Sequence, residues 1–203
     1  MSGAPPPWSI VPLSPDTWPA LDGLFREGGD PRWCWCMFWR LRSTDFSSRR
    51  VAELREGLRE LVDRPVPPGL VALDDGRAVG WASLGPRDEF ERLARSRTIP
   101  RLDGEDVWSI VCFAVSESAR GGGVGAALLA AAVEHASANG ARILEAYPVD
   151  IGEVGSVAAG SAFTGTLSMF ERAGFLVAGP TSSTSGGRPR VVVRRDLRTP
   201  ASD

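Results

Sequence analysis

The chain has 203 residues with 23 basic and 25 acidic side chains, and its formal net charge of −2 argues against general binding to nucleic acid or to an acidic membrane surface. Hydrophobic residues make up 43% of the sequence, which is enough to bury the core of one domain. Every basic residue is arginine, so mechanisms that need a lysine nucleophile are excluded, and the bias indicates a GC-rich bacterial genome. These features favour chemistry on small molecules.

Cysteine and histidine are too few and too scattered to predict a metal centre. A zinc site that drew on Cys34, Cys36, Cys112 and His135 would have only one close ligand spacing, C-x-C, so we expect no metal. The odd number of cysteines and the lack of an apolar signal or membrane-spanning segment favour a reducing compartment. We therefore expect a cytoplasmic protein.

The first half of the chain alternates strand and helix patterns. After a loose tail over residues 1–7, "WSIVPL" (8–13) predicts a strand, and "SPDTWPALDGLF" predicts a helix with Ser14 as its cap and Pro15 at its first position. Apolar residues at helical spacing then predict an amphipathic helix that ends at Pro65. The pair Asp75-Gly76 lies between two apolar runs and predicts a tight β-hairpin.

In the second half, "DVWSIVCFAV" (106–115) is a nearly continuous apolar run and predicts a buried central strand. An alanine-rich helix over about 123–139 follows, with Gly140 as its C-terminal cap. The remaining signals are a strand at "ARILEAY", a helix at "TGTLSMFERAG" with Thr164 and Gly174 as caps, and strands at "FLVA" and "RVVVRRDL". This order predicts one α/β (or α+β) domain over 8–197 around a mixed sheet, with a tail at 198–203.

The stretch "ARGGGVGA" joins the central strand to the alanine-rich helix. Helix N-terminal amides have no intrahelical partners and carry the positive end of the dipole, so glycines there let an anion approach the backbone, and Arg120 adds a full charge. The alternative is that the glycines only allow a sharp turn. We favour a phosphate site.

These residues carry a family resemblance. Arg120-Gly121-Gly122-Gly123-Val124-Gly125 resembles the R/Q-x-x-G-x-G/A signature of the GNAT superfamily of acyl-CoA-dependent N-acyltransferases, and "MFERAGF" (169–175) is similar to that family's helix and Gly-Phe ending. The resemblance implies a mixed, mostly antiparallel sheet flanked by helices, with a splayed central strand. It also implies acetyl-CoA as co-substrate and a small-molecule or peptide amine as acceptor. It is compatible with a homodimer.

The resemblance assigns two sets of CoA-binding residues. The backbone of the splayed strand would pair with the pantetheine arm, and the loop and helix start would hold the pyrophosphate. The first set is Phe113, Ala114 and Val115; the second is Arg120, Gly121, Gly122, Gly123, Val124, Gly125 and Ala126.

The proton-transfer groups of the family are not at their usual positions. Ser109 stands where the family often has a glutamate base, and Phe170 stands where it often has a tyrosine acid. Tyr147, the only tyrosine, closes the next strand and is our candidate donor to the CoA thiolate, unless its ring packs and its hydroxyl meets an internal acceptor. Glu145 faces the same way and is either a base or a carboxylate paired with arginine. A non-catalytic CoA-binding or sensing module is the alternative function.

Two further patterns leave alternatives open. Gly121-x-Gly123-x-x-Ala126 also fits the dinucleotide fingerprint of a Rossmann fold, with Glu145 as the ribose-binding acid. In "RWCWCMFWR" (32–40), the three tryptophans form either an aromatic wall for an apolar or cationic acceptor or simply part of the core. Cys34 and Cys36 could carry an acyl group or form a redox pair, although no nearby histidine or lysine would lower their pKa.

Overall fold

The computed structural model describes residues 7–27, 33–152, 155 and 158–198. Except for Pro7 and Arg198, both expected tails lie outside the described residues. The strands are Trp8–Pro12 (β1), Gly69–Asp74 (β2), Arg77–Pro86 (β3), Trp108–Val115 (β4), Ile143–Ala146 (β5), Leu176–Ser185 (β6) and Arg188–Asp196 (β7). They form one sheet in the order β1-β2-β3-β4-β5-β7-β6, in which β4 and β5 are parallel and the other neighbours antiparallel.

Helices cover both faces of this sheet. The described residues form Trp18–Glu27 (α1), Ser43–Ser48 (α2), Val51–Arg59 (α3), Glu91–Ala94 (α4), Val124–Ala138 (α5) and Leu167–Arg172 (α6). Side chains of α1, α3 and α4 share a core with Trp81 and Val111 on one face, and α5 and α6 share a second core with Ala82 and Ile110 on the other. The expected single α/β domain with a mixed, mostly antiparallel sheet is therefore confirmed. None of these helices is long and apolar enough to cross a bilayer.

A β-bulge in β4 shapes the centre of the sheet. Ser83 pairs with Cys112 and the next residue of β3, Leu84, pairs with Ile110, so Val111 has no opposite residue. Bulges bend a strand and increase its twist. The pairing between β4 and β5 ends at the same level, at Ile110 and Ala146, while β4 continues to Val115. The two strands separate there, which is the splayed central strand expected from the resemblance.

Several local predictions are confirmed by backbone geometry. Asp75 and Gly76 have φ angles of 45° and 76° and form the tight turn between β2 and β3. The alanine-rich helix is α5, and Gly140 follows it in the left-handed region with φ 81°. Gly174 likewise follows α6 with φ 77°. Because a left-handed residue is a common helix stop, each glycine ends its helix as predicted.

Four predicted boundaries differ from the structure. Helix α3 ends at Arg59, before a turn over residues 60–63, and not at Pro65. Residues 15–17 form a turn and α1 begins at Trp18, but Ser14 still acts as a cap, because its Oγ accepts from the Thr17 amide at 3.4 Å and its carbonyl accepts from the Trp18 amide at 2.9 Å. Thr166, not Thr164, precedes α6. The strand expected at "FLVA" continues to Ser185, because β6 pairs with β7 as a long hairpin whose serine and threonine side chains alternate between exposed and half-buried positions.

Helix α5 lies very close to the sheet at Gly80 of β3. A Cβ atom built at Gly80 would come within 2.7 Å of Val124 Cγ1 and 3.0 Å of Leu128 Cδ1, which is closer than atoms can pack. Both side chains are fully buried in the first part of α5. The missing side chain at Gly80 therefore sets the distance between the helix N-terminus and the sheet.

We expect Gly80→Ala to destabilise the protein by about 1–3 kcal/mol, because the added methyl group overpacks this contact. Gly23→Ala is the control, since no atom lies within 4 Å of a Cβ built at this position in α1. Alanine there should stabilise the helix by about 0.5–1 kcal/mol. Urea unfolding measures both changes. Gly80→Ala at wild-type stability or above would contradict the close packing of α5.

Candidate functional site

The glycine-rich loop presents backbone amides at the start of α5. Gly121 and Gly123 have φ angles of 78° and 90°, which residues with a side chain adopt only under strain. The first backbone bond of the helix runs from the Ala127 amide to the Gly123 carbonyl, at 3.0 Å. The amides of the three preceding helical residues, 124–126, therefore have no acceptor within the helix, as expected for an anion site.

Arg120 adds a cation beside these amides. Its Nε donates to the Val115 carbonyl at 3.3 Å, and its Nη1 lies 3.7 Å from the Glu117 carboxylate. The side chain is 40% exposed, so the guanidinium holds the end of β4 and still faces solvent. The local charge and the helix dipole both favour an anion here.

A cavity of about 250 Å³ joins this loop to β4 and α6. Five of the predicted CoA-binding residues lie around it, and the other half of its wall comes from the segment that leads into α6. The predicted residues are Phe113, Ala114, Val115, Arg120 and Gly125; the others are Ala162, Phe163, Gly165, Thr166 and Met169. The other predicted residues, Gly121, Gly122, Gly123, Val124 and Ala126, are outside this lining, and the Val124 side chain is buried against the sheet.

A backbone segment crosses the gap between β4 and β5. The Phe113 amide donates to the Phe163 carbonyl at 2.6 Å. On the other side, Val149 donates to the Gly165 carbonyl and accepts from the Leu167 amide, both at 3.0 Å. The amide of Phe113, one of the residues expected to bind pantetheine, is thus already paired within the protein, and its role in binding CoA stays a prediction. Nothing in the local sequence indicates a bond between residues fifty positions apart.

Tyr147 and Glu145 belong to a buried polar cluster. The Tyr147 hydroxyl donates to Glu145 Oε1 at 2.6 Å and lies 2.9 Å from Ser109 Oγ, while Arg87 Nε donates to the hydroxyl oxygen at 3.3 Å. The Tyr147 side chain is 0% exposed and Glu145 is 1% exposed. Burial, and then the charge of Glu145, raise the pKa of Tyr147 far above its ordinary value. The hydroxyl therefore keeps its proton.

Two arginines compensate the charge of Glu145. Arg194 Nε donates to Glu145 Oε2 at 2.7 Å, and Arg87 Nε lies 3.5 Å from Oε1. Arg194 also binds Asp103, and this hydrogen bond lowers the pKa of the Asp103 carboxyl. The sequence leaves two alternatives open for each residue. In this geometry the Tyr147 hydroxyl has an internal acceptor, and the Glu145 carboxylate is paired with arginine. Neither side chain lines the 250 Å³ cavity, and their catalytic roles stay predictions.

The two usual proton-transfer positions, Ser109 and Phe170, lie outside the described lining of the 250 Å³ cavity and carry no suitable group. Ser109 pairs with Glu145 across β4 and β5, so a carboxylate stands on the neighbouring strand instead of on β4. Phe170 is fully buried, with its ring centroid 6.2 Å from that of Phe113 and 5.1 Å from that of Phe175. A proton donor is thus missing at this point of α6.

The aromatic stretch divides between the core and a second cavity. Trp35 packs against Phe25 and Trp18 in the core, whereas Trp33 and Trp39 line a cavity of about 90 Å³. We call it the aromatic cavity; its lining is Trp33, Cys34, Cys36, Phe38, Trp39, Cys112, Gly160 and Phe163. Phe163 lines both cavities, so they adjoin each other. Trp35 and Trp39 are thus buried in the core and Trp33 is exposed, and a role of these rings as a wall for the acceptor stays a prediction.

The cysteines lie at the base of the aromatic cavity. Cys36 Sγ is 3.4 Å from Cys112 Sγ and accepts from Trp81 Nε1 at 3.1 Å. Trp35 and Cys36 have positive φ angles of 47° and 52°, an unusual conformation for residues other than glycine. Among the described residues, no group of three or more His, Cys, Asp or Glu side chains could hold a metal ion.

The topology excludes the Rossmann alternative. In the described sheet only β4 and β5 are parallel, whereas a dinucleotide fold needs a mostly parallel sheet around the glycine loop. Glu145, which would bind ribose in that fold, is instead held by Arg87 and Arg194.

A larger cavity of about 510 Å³, beside the β2–β3 turn and Ser116–Ser118, contains none of the predicted CoA-binding residues in its described lining.

Comparisons with known proteins agree with this geometry. The family model described as "Acetyltransferase (GNAT) family" matches residues 35–159, and no curated protein matches the sequence. Similar solved structures include a GCN5-related N-acetyltransferase from Kribbella flavida, with 23% identity, a TM-score of 0.55 and coverage of 95% of this chain and 99% of that chain.

Two other solved structures share the fold. A ribosomal-protein-alanine N-acetyltransferase from Brucella melitensis has 21% identity and a TM-score of 0.53, with coverage of 93% and 99% of the two chains. An N-acetyltransferase from Staphylococcus aureus has 16% identity and a TM-score of 0.56, with coverage of 94% and 98%. Because the family model spans more than half of the sequence, including β4 and the glycine loop, this chain belongs to the GNAT acetyltransferase family.

Proposed function

We propose that this chain is a cytoplasmic N-acetyltransferase that transfers the acetyl group of acetyl-CoA to a primary amine of a small molecule or peptide. The observation that carries the proposal is the arrangement of unpaired amides at residues 124–126 and Arg120 beside a cavity along the separated end of β4. One end of that cavity suits an anionic diphosphate and the rest suits a narrow, mostly apolar arm.

The diphosphate would bind at the N-terminus of α5. Amides that have no helical acceptor can donate to phosphate oxygens, and the helix dipole and Arg120 stabilise the negative charge. The left-handed glycines bring the backbone to this position without side chains in the way. In our proposal this end of CoA therefore supplies most of the polar binding energy.

The pantetheine arm would lie where Phe163 now meets β4. An extended ligand that pairs with the edge of a strand needs that strand's amides and carbonyls. Since the Phe113 amide is bound to the Phe163 carbonyl, we propose that CoA displaces this carbonyl on binding. The released amide can then donate to the pantetheine or to the thioester oxygen, which becomes negative as the amine attacks.

The transfer itself would proceed by direct attack. The lone pair of the neutral amine adds to the thioester carbon, the carbon–sulfur bond breaks, the amine loses a proton, and CoA leaves as a thiolate that takes one. The described lining of the cavity offers no carboxylate and no tyrosine hydroxyl. We therefore propose that water mediates both proton transfers, and that positioning of the two substrates supplies most of the rate enhancement.

We propose that Tyr147 and Glu145 are positioning residues. Together with Ser109, Arg87 and Arg194 they join β4, β5 and β7 immediately before the point where β4 and β5 separate. A fixed cluster here would keep the opening at a constant width. This role differs from proton donation, because it needs the hydroxyl as a structural donor and not as an acid.

A non-catalytic CoA-binding module is the second candidate, and the absence of an acid or base at Ser109 and Phe170 favours it. Release of CoA thiol from acetyl-CoA in the presence of amines separates the two functions. The proposed enzyme releases thiol in an amine-dependent way. A module that binds CoA would be stabilised by it and would release no thiol with any amine.

Gly125→Val should weaken CoA binding about tenfold or more, because its branched side chain stands between the ligand and the α5 amides, and lost hydrogen bonds to a charged group have this effect. The fold should survive, since a Cβ at Gly125 has only Met169 Sδ near it, at 3.8 Å. Isothermal titration with CoA tests this. Gly104→Val, at a glycine with no atom within 4 Å of its Cβ, is the control. Equal affinity in both variants would contradict the loop assignment.

Tyr147→Phe should destabilise the protein by about 1–3 kcal/mol, since it removes the buried hydroxyl that donates to Glu145 Oε1 at 2.6 Å. A general acid would instead contribute about 100- to 10,000-fold to kcat, and we expect a far smaller loss in the folded variant. Urea unfolding and steady-state kinetics measure the two effects. A large loss of kcat at unchanged stability would support the acid role instead.

The raised pKa of Tyr147 predicts that the free energy of unfolding depends on pH. Because the pKa of Tyr147 is raised in the folded state, its contribution is complete below the unfolded tyrosine value of about 10 and is lost as the pH rises above it. The wild-type protein should therefore lose stability between about pH 10 and 11 more steeply than Tyr147→Phe. Parallel slopes for the two proteins would show that Tyr147 ionises as freely in the folded state as in the unfolded chain.

A further inference from the structure

The aromatic cavity lies where the acceptor would meet the thioester. It borders the CoA cavity at Phe163 and touches β4 at Cys112, immediately before Phe113. Its described lining consists of aromatic rings, cysteines and one glycine, and contains no charged side chain. A cavity of about 90 Å³ with such walls suits a short apolar group.

Two arginines stand against the rings that form these walls. The guanidinium carbon of Arg92 lies 4.1 Å from the centroid of the Phe38 ring. That of Arg190 lies 5.3 Å from the Phe163 centroid and 5.8 Å from the Trp39 centroid. Three of the four rings in the described lining of the cavity, Phe38, Trp39 and Phe163, are therefore already in contact with a cation on one face.

Neither arginine has a carboxylate partner among the described residues. Arg190 is 6% exposed; its Nη1 donates to Ser183 Oγ and the Thr184 carbonyl, and its buried Nε has no partner. Arg92 reaches only Ser43 Oγ, at 3.5 Å, and its Nε and Nη2 are buried without a partner. Burial lowers the pKa of both side chains.

Other buried arginines of this protein are compensated. Arg40 binds Glu89, and Arg87 lies 3.5 Å from Glu145. A buried charge without a counter-ion is costly, and Arg190 is such a charge. Arg92 is half-buried and likewise has no carboxylate partner among the described residues. Both stack on rings that line the aromatic cavity, so an anion that arrives with a ligand there would compensate them. A polycationic ligand would add repulsion at the same place.

We propose that the acceptor is an amine that carries both a short apolar side chain and a carboxylate, as an amino acid does, and not a polyamine. This inference rests on the proposed acetyl transfer. The apolar group enters the aromatic cavity, the carboxylate turns towards Arg190 or Arg92, and the amine faces the thioester at Phe113. Neither guanidinium lines the cavity in this structure, so the carboxylate draws Arg190 or Arg92 towards it and then accepts charge-assisted hydrogen bonds from the unpartnered nitrogens.

The kinetic test compares acceptors that differ only in the carboxylate. L-Leucine, 3-methylbutan-1-amine, which is leucine without its carboxylate, and spermidine are assayed by release of CoA thiol. We expect kcat/KM to be about tenfold or more higher for leucine than for 3-methylbutan-1-amine, the usual effect of a hydrogen bond to a charged group. Equal or higher kcat/KM for the amine or for spermidine would overturn the inference and leave the acetyltransferase function intact.

Variants connect this preference to the arginines. Arg190→Gln and Arg92→Gln should each reduce the advantage of leucine. Arg188→Gln, an exposed arginine two residues earlier on β7, should preserve it. Two positions are used because either variant alone could fail to fold. Retention of the full preference in every folded variant at positions 190 and 92 would overturn the assignment.

A binding test needs no turnover. With CoA present, 4-methylpentanoate, which is leucine without its amine, should raise the melting temperature more than 3-methylbutan-1-amine does. Stabilisation by the carboxylate without thiol release from any acceptor would support the ligand class and contradict the acetyl transfer. No stabilisation by the carboxylate, together with turnover of simple amines, would overturn the ligand class alone.

Discussion

The site depends on the separation of β4 from β5. The extra residue at Val111 bends β4, and the last pairing with β5 lies at Ile110, so the rest of β4 leaves the plane shared with its neighbour. This gap lets a segment from another part of the chain reach the edge of β4. It also directs the end of β4 to the glycine loop, and hence to the N-terminus of α5. A regular strand would pair along its whole length and leave no opening.

Charge compensation differs sharply on the two sides of this opening. Before it, Glu145 lies between Arg87 and Arg194, and Tyr147 and Ser109 complete a buried cluster in which the carboxylate charge is compensated, although Arg87 Nη1 has no hydrogen-bond partner. Beyond it, Arg190 and Arg92 lie against aromatic rings without carboxylate partners. A compensated cluster makes a stable scaffold, whereas an uncompensated one stores unfavourable energy that a ligand can relieve. The compensated cluster around Glu145 therefore holds the strands together, whereas we expect the region around Arg190 and Arg92 to bind the acceptor.

Local chemistry explains which features could be predicted from the sequence. The Asp75-Gly76 turn, the glycine stops of α5 and α6 and the glycine-rich start of α5 each depend on a few adjacent residues, and all have a backbone geometry that follows from them. The Thr164 boundary was wrong because a left-handed glycine, Gly165, delays the start of α6. The polar end of β6 could not be recognised as a strand, because a run of serine and threonine shows no alternation of apolar and polar residues. Its conformation depends on pairing with β7.

The candidate site was harder to predict because its partners are distant in sequence. The sequence indicates Tyr147 as a candidate proton donor. The environment of its hydroxyl, however, comes from Arg87, sixty positions earlier, and from Ser109 on the neighbouring strand. The bond between Phe113 and Phe163 and the arginines beside the aromatic cavity also arise only in the folded chain. A sequence pattern can indicate which residues carry chemistry, whereas burial and pairing decide what that chemistry is.

A crystal structure with bound acetyl-CoA tests the central claim most directly. We predict diphosphate oxygens within hydrogen-bond distance of the amides of residues 124–126, and the thioester between β4 and β5, with the Phe163 carbonyl no longer bonded to the Phe113 amide. Acetyl-CoA bound elsewhere, with the bond between Phe113 and Phe163 intact, would contradict the account.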